Sequence, residues 1–155
     1  MPETLVRALL WLFAINLGIV FGAGLYESRV VVPLWASAPP ASLRSPDSGR
    51  RFWAFVSTIP LTLLTLANLV AAWGAGGPER MWWLSATVVV LVERVATFAF
   101  FIPTMLRLQR DSTGSELALG LAFARWVRLN HLRTLLTLTA WLAALKTLSI
   151  GWVAQ

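Results

Sequence analysis

Between Ala8 and Tyr26 the chain carries no charged residue, and a second run from Phe52 to Trp73 is equally free of charge. Each matches the roughly 20 apolar residues that a helix needs to cross a hydrocarbon core. Together with 57% hydrophobic residues, 13% charged residues and a mean hydropathy of +0.70, they would give a water-soluble particle of this size an apolar surface. A bilayer is the solvent that fits. The expected fold class is all-α: an integral membrane four-helix bundle in a single transmembrane domain, with spans at about 5–32, 52–73, 81–108 and 116–153.

The first span is too long for a signal-peptide core and reads as an uncleaved anchor that runs to Pro33. The Pro, Ser and Arg-rich segment from Pro33 to Arg51 reads as a solvent-facing loop. The second span is expected to kink near Pro60, where proline removes a backbone donor, and to end at the Gly74 to Pro78 cluster. The third, about Met81 to Leu108, is interrupted by Glu93, Arg94 and Pro103. Thr113 and Glu116 then stand at a capping-box spacing ahead of a last helix of roughly 55 Å, so part of it must protrude or bend. Its half with Arg125, Arg128, His131 and Arg133 is expected to lie in the headgroup zone or to project past it, while Thr134 to Val153 spans and Lys146 snorkels.

Tryptophans mark two interfaces, with Trp35 and Trp53 at one and Trp73, Trp82, Trp83 and Trp152 at the other. Four spans place both termini opposite the loops with Arg44, Arg50, Arg51 and Arg110. The positive-inside rule makes those loops cytoplasmic and both termini non-cytoplasmic in an inner (plasma) membrane.

The net charge of +6 is nearly all arginine, Lys146 being the one lysine. These arginines are scattered among apolar spans and form no solvated basic face, which argues against nucleic acid and for membrane lipids as partners. With no cysteine and one histidine, disulfides, zinc ribbons, iron–sulfur centres and multi-histidine metal sites are excluded. No metal and no cofactor is expected; a lone axial haem contact through His131 is the remaining alternative.

On the last helix Trp126, Asn130, Arg133 and Thr137 recur at spacings of four, three and four, which aligns them on one face. Such a polar stripe serves either as a ligand-facing wall, with guanidinium and amide for an oxyanion and indole for stacking, or as interhelical hydrogen bonding. On the third helix Glu93, Thr97 and Thr104 share a face beside Arg94. A glutamate at that depth is neutralised by a partner or protonated, the second state suiting proton transfer. The first helix adds Asn16 and Glu27 on one face and the Gly18, Gly22 pair, which permits close packing, on another. Counting rise places Asn16, Glu93, Arg94 and Trp141 near the midplane and Glu27, Arg133 and Thr104 in a second, cytoplasmic layer.

Three segments carry a family resemblance: GIVFGAGLYESRVVVPLW in the first helix, TFAFFIPTMLRL in the third and WVRLNHLRTLLTL in the fourth. Over nearly its whole length the chain resembles the anthrone oxygenase-like family of small four-span membrane proteins, the Trp126, Asn130, Arg133 pattern being the most specific element. The end of the third helix departs from that family, with no asparagine near Thr104 and Met105. Most bacterial members are domains of unknown function. For some fungal members the resemblance implies a cofactor-free oxygenase that converts a polyketide anthrone into an anthraquinone.

That chemistry asks for a base, here Glu27 or Glu93, with Arg133 and Asn130 as oxyanion partners and Trp126 as the stacking surface. Arg94, Thr97 and Asn16 complete the candidate ligand-binding set for a small hydrophobic ligand. The competing class is a non-catalytic membrane scaffold or a transport or partner subunit, with self-association open to either. An internal cavity beside Asn130 and Arg133 separates the two readings, since an enzyme needs one and a scaffold does not.

Overall fold

The computed structural model describes residues 2–37, 49–110 and 116–153. Its described residues form four long helices and no strand. Helix α1 runs from Glu3 to Ser37, α2 from Arg50 to Trp73, α3 from Glu79 to Arg110, and α4 from Glu116 to Val153. The Thr113 capping expectation and the Arg44 loop lie outside the described residues, as do the side chains of Arg50, Glu116 and Trp152.

Three of the four helices contain one widened turn: Glu27–Val31 in α1, Ala54–Thr58 in α2 and Thr97–Phe101 in α3. In each, a backbone N–H reaches five residues back instead of four: Val32 to Glu27 O, Ile59 to Ala54 O and Ile102 to Thr97 O. Proline is the next residue every time, at Pro33, Pro60 and Pro103. A proline ring collides with the carbonyl four residues earlier in a regular α-helix and offers it no donor. One extra residue in the preceding turn relieves that clash and lets the helix continue. Pro33 therefore does not end the first helix, contrary to the sequence expectation, and the helix goes on to Ser37.

Each helix packs on its neighbours in sequence, and α4 closes the ring against α1. All four adjacent pairs are antiparallel, since contacting residues rise in number on one helix as they fall on the other. Asn16 meets Val56 while Leu9 meets Asn68, and Gly18 meets Trp141 while Glu27 meets Arg133. The result is an up-down-up-down bundle.

Its outer surface is apolar, with Phe55 at 72% and Val70 at 71% exposure, whereas Glu93 and Arg94 are almost wholly enclosed. That inversion of the usual soluble pattern suits a lipid solvent. Three helices, Glu3–Trp35, Arg51–Trp73 and Glu79–Arg110, are long and apolar enough to cross a membrane. Helix α4 has the length, at 38 residues, with Arg125, Arg128 and Arg133 in its first half and Lys146 as the one charge of 134–153.

The interior divides into two apolar clusters. One gathers Leu10, Phe13, Leu17, Leu61, Val90 and Leu148 toward the N-terminal end of α1, and the other gathers Val32, Phe101, Leu108, Phe123 and Trp126 toward the opposite end. The widened turns lie between them, and so do the buried charges.

Candidate functional site

The polar layer begins on α3. Arg94 folds back on its neighbour Glu93 and donates through Nε to Oε2 at 2.6 Å and through Nη2 to Oε1 at 2.8 Å. Thr97 donates to the same Glu93 Oε1 at 3.0 Å, and Arg94 Nη1 donates to Ser57 Oγ at 3.3 Å across the interface with α2. Removing two ions from a polar solvent costs several kcal/mol each, and a two-pronged pair with its remaining lone pairs and protons engaged is the arrangement that offsets it.

Arg133 on α4 joins this pair to α1. Its Nε lies 3.9 Å from Glu93 Oε1 and its Nη2 lies 3.6 Å from Glu27 Oε2. Its guanidinium also sits over two rings, 5.0 Å from the Phe101 centroid and 5.8 Å from that of Trp53. Two carboxylates and two guanidiniums thus form one neutral set, in which Arg133 bridges Glu93 of one expected layer to Glu27 of the other. The other cations of this stretch, Arg125 and Arg128, face outward with His131. Arg133 alone among these turns into the bundle.

The predicted stripe on α4 lies on the inner face. Trp126, Asn130 and Thr137 are buried and Arg133 is mostly enclosed. Asn130 donates to Ser28 Oγ at 3.5 Å, while Thr137 returns its hydroxyl to Arg133 O at 3.1 Å and is satisfied within its own helix. Trp126 stacks parallel to Phe123, with centroids 6.4 Å apart, and meets Phe101 edge-on at 6.1 Å.

Beside this stripe lies a cavity of about 270 Å³, walled by Glu27, Trp35, Trp53, Phe101, Met105 and Trp126 among others. It is mostly apolar and aromatic, with Glu27 and Thr58 as its other lining residues of polar character. Three buried polar atoms at or next to it have no hydrogen-bond partner: Glu27 Oε2, Trp126 Nε1 and Asn130 Oδ1. Such atoms are expensive to leave unpaired in a low-dielectric interior. Arg133 stands one layer behind this wall, stacked on two of its rings.

Asn16 does not join this group. Its amide donates to Val56 O at 3.1 Å on α2, a structural contact. Thr104, half-buried beyond the widened turn of α3, is shifted in phase from the Glu93 and Thr97 face that a regular helix would have given it. The glycine pair also divides. A Cβ on Gly18 would lie 3.1 Å from the Trp141 indole, whereas one on Gly22 would meet nothing within 4 Å. Trp83, expected at an interface, is buried and donates to Asn68 Oδ1 at 3.1 Å. Ser57, Ser28 and Asn68 were not anticipated, and Trp53 was read only as an interfacial marker.

Among the described residues no group of three or more His, Asp or Glu side chains is placed to hold a metal ion. Comparison of the chain with protein-family models, with curated proteins and with solved structures finds no match.

Proposed function

We propose that this chain is a multi-pass membrane protein that binds a small, flat, hydrophobic ligand with a hydrogen-bonding substituent in the cavity beside Glu27 and Trp126. The observation that carries the reading is the coincidence of an aromatic-walled cavity with unpaired buried polar atoms, an acceptor on Glu27 and a donor on Trp126. Its volume of about 270 Å³ lies just below the range of small-molecule sites, about 300–1,000 Å³, as suits a small ligand. A packed, dry interior would have favoured a scaffold.

In the same reading, α4 crosses the membrane with the other three helices. The end that carries Arg51, Arg107, Arg110, Arg125 and Arg128 faces the cytoplasm of an inner (plasma) membrane, and both termini face away from it.

The resemblance to anthrone oxygenase-like proteins gives this site a reaction. Both Glu93 oxygens are hydrogen-bonded by Arg94 and Thr97, whereas Glu27 lines the cavity with an oxygen that accepts no hydrogen bond and lies 3.6 Å from Arg133, so Glu27 is the base. It removes a proton from the methylene carbon of an anthrone, and Arg133 behind it favours the enolate oxyanion. The enolate supplies four electrons in all to dioxygen. One oxygen atom becomes the new carbonyl and the other leaves as water, so no other reductant or cofactor is required.

The test is turnover of an anthrone under oxygen by the protein reconstituted in lipid, above the spontaneous rate. Glu27→Gln should lower it by about a hundredfold, in line with loss of a general base, with tryptophan fluorescence reporting that ligand still binds. Turnover unchanged in both Glu27→Gln and Arg133→Ala would overturn the assignment.

A further inference from the structure

The cavity has a neighbour. On the last turns of α3, Pro103, Leu106, Arg107 and Arg110 line a surface groove, and Leu106 also lines the cavity. The cavity face of this helix (Ile102, Met105, Leu106) and its groove face (Pro103, Leu106, Arg107, Arg110) are adjacent stripes that share one leucine. Leu106 thus lines both the aromatic-walled cavity and the groove that carries two arginines.

The two compartments differ in charge. Inside, Arg94 and Arg133 are each paired with a carboxylate, and the charged group on the cavity wall is Glu27, so a permanent anion there would meet a like charge. In the groove, Arg107 and Arg110 are exposed, and among the described residues neither enters an ion pair. Their spacing of three residues sets both guanidiniums on one face, within about 10 Å of helix from Pro103 to Arg110 at 1.5 Å per residue. An anionic group on a body seated in the cavity would emerge past Leu106 between them.

We infer that the ligand is an anionic amphiphile, its apolar body in the cavity and its carboxylate or phosphate held by Arg107 and Arg110, with Leu106 as the partition between them. This rests on the cavity being a ligand site, and it assigns the class of ligand and an anion subsite that the cavity alone does not. The anionic head belongs either to a free amphiphile or to a membrane lipid whose chain dips into the chamber; the chemistry at the arginines is the same.

The experiment uses the full chain in zwitterionic nanodiscs and a matched pair of flat probes, anthracene-2-carboxylate and its methyl ester, followed by energy transfer from tryptophan. The carboxylate should bind at least about fivefold more tightly than the ester, as two partly exposed ion pairs allow. Arg107→Gln with Arg110→Gln should abolish that preference while leaving ester affinity unchanged, and Leu106→Trp should weaken both probes. Equal affinities in the wild type, or a preference that survives the double substitution, would overturn the anion subsite while leaving the cavity reading intact. Failure of both probes to bind, or binding of both that is indifferent to Leu106→Trp, would sink the cavity reading itself. Repeating the titration with phosphatidylglycerol in the disc separates the sources. Loss of the carboxylate preference there supports the subsite with lipid supplying the head, and persistence supports it with a free amphiphile.

Discussion

The Asn16 side chain donates at 3.1 Å to the carbonyl of Val56, four residues ahead of Pro60. In a regular helix that carbonyl would accept from residue 60, and proline has nothing to give. An unpaired carbonyl in hydrocarbon is costly, and an amide borrowed from the neighbouring helix satisfies it. Asn16→Leu should therefore destabilise the bundle by about 1 kcal/mol, typical of an interhelical hydrogen bond in a membrane. Combining it with Pro60→Ala, which restores a local donor, should recover part of that loss. Apparent melting midpoints in detergent measure the coupling, and strictly additive effects would refute it.

The spans were legible because hydropathy is a sum over twenty residues and tolerates local error. The α4 stripe was legible because an uninterrupted helix keeps its phase, so Trp126, Asn130, Arg133 and Thr137 stay on one face. Thr104 was misassigned for the converse reason, because the widened turn at Thr97–Phe101 advances the phase beyond it. The prolines themselves were the available signal: Val32-Pro33, Ile59-Pro60 and Ile102-Pro103 each follow such a turn. Ser57, Ser28 and the Asn68 to Trp83 contact depend on which residue faces which across an interface, and no periodicity within one helix encodes that.

The Glu93 and Arg94 pair predicts an asymmetry between breaking it and replacing it. Arg94→Ala leaves a carboxylate enclosed with only Thr97 and, at 3.9 Å, Arg133 for company. That should cost about 3–5 kcal/mol and lower the yield of folded protein sharply. Replacing both residues with methionine removes the buried charges together and should be markedly better tolerated than Arg94→Ala alone. Size-exclusion profiles and thermal midpoints would show the order; a double variant less stable than the single one would contradict it.

The two glycines of α1 should respond differently to the same change. A methyl group on Gly18 would press on the Trp141 indole at 3.1 Å, tighter than ordinary contact, and that ring also packs on Phe21 with centroids 5.9 Å apart. Gly18→Ala should cost about 1–3 kcal/mol through overpacking. Gly22→Ala meets nothing within 4 Å and should be neutral or slightly stabilising, since alanine is the better helix former. Equal effects at both positions would mean that the pair acts as one interhelical seam, at odds with the geometry.

Trp126 separates a ligand-contacting role from a packing role. Its indole N–H is buried without a partner, and its ring is held by Phe101, Phe123 and Trp35. Trp126→Phe removes the unpaired donor, relieving about 1 kcal/mol or more of desolvation, but it also gives up ring contacts of comparable worth. The ligand-free protein should accordingly melt close to the wild type. If the N–H completes its bond with a ligand acceptor, affinity in the same variant should fall by about tenfold, near the strength of one buried hydrogen bond. Trp126→Ala, by contrast, should lower stability and affinity together, by about 3–5 kcal/mol for the fold. Parallel melting and binding titrations on the two variants distinguish the roles. A phenylalanine variant that binds as tightly as the wild type would leave the indole a packing group only, and would remove the donor from the proposed site.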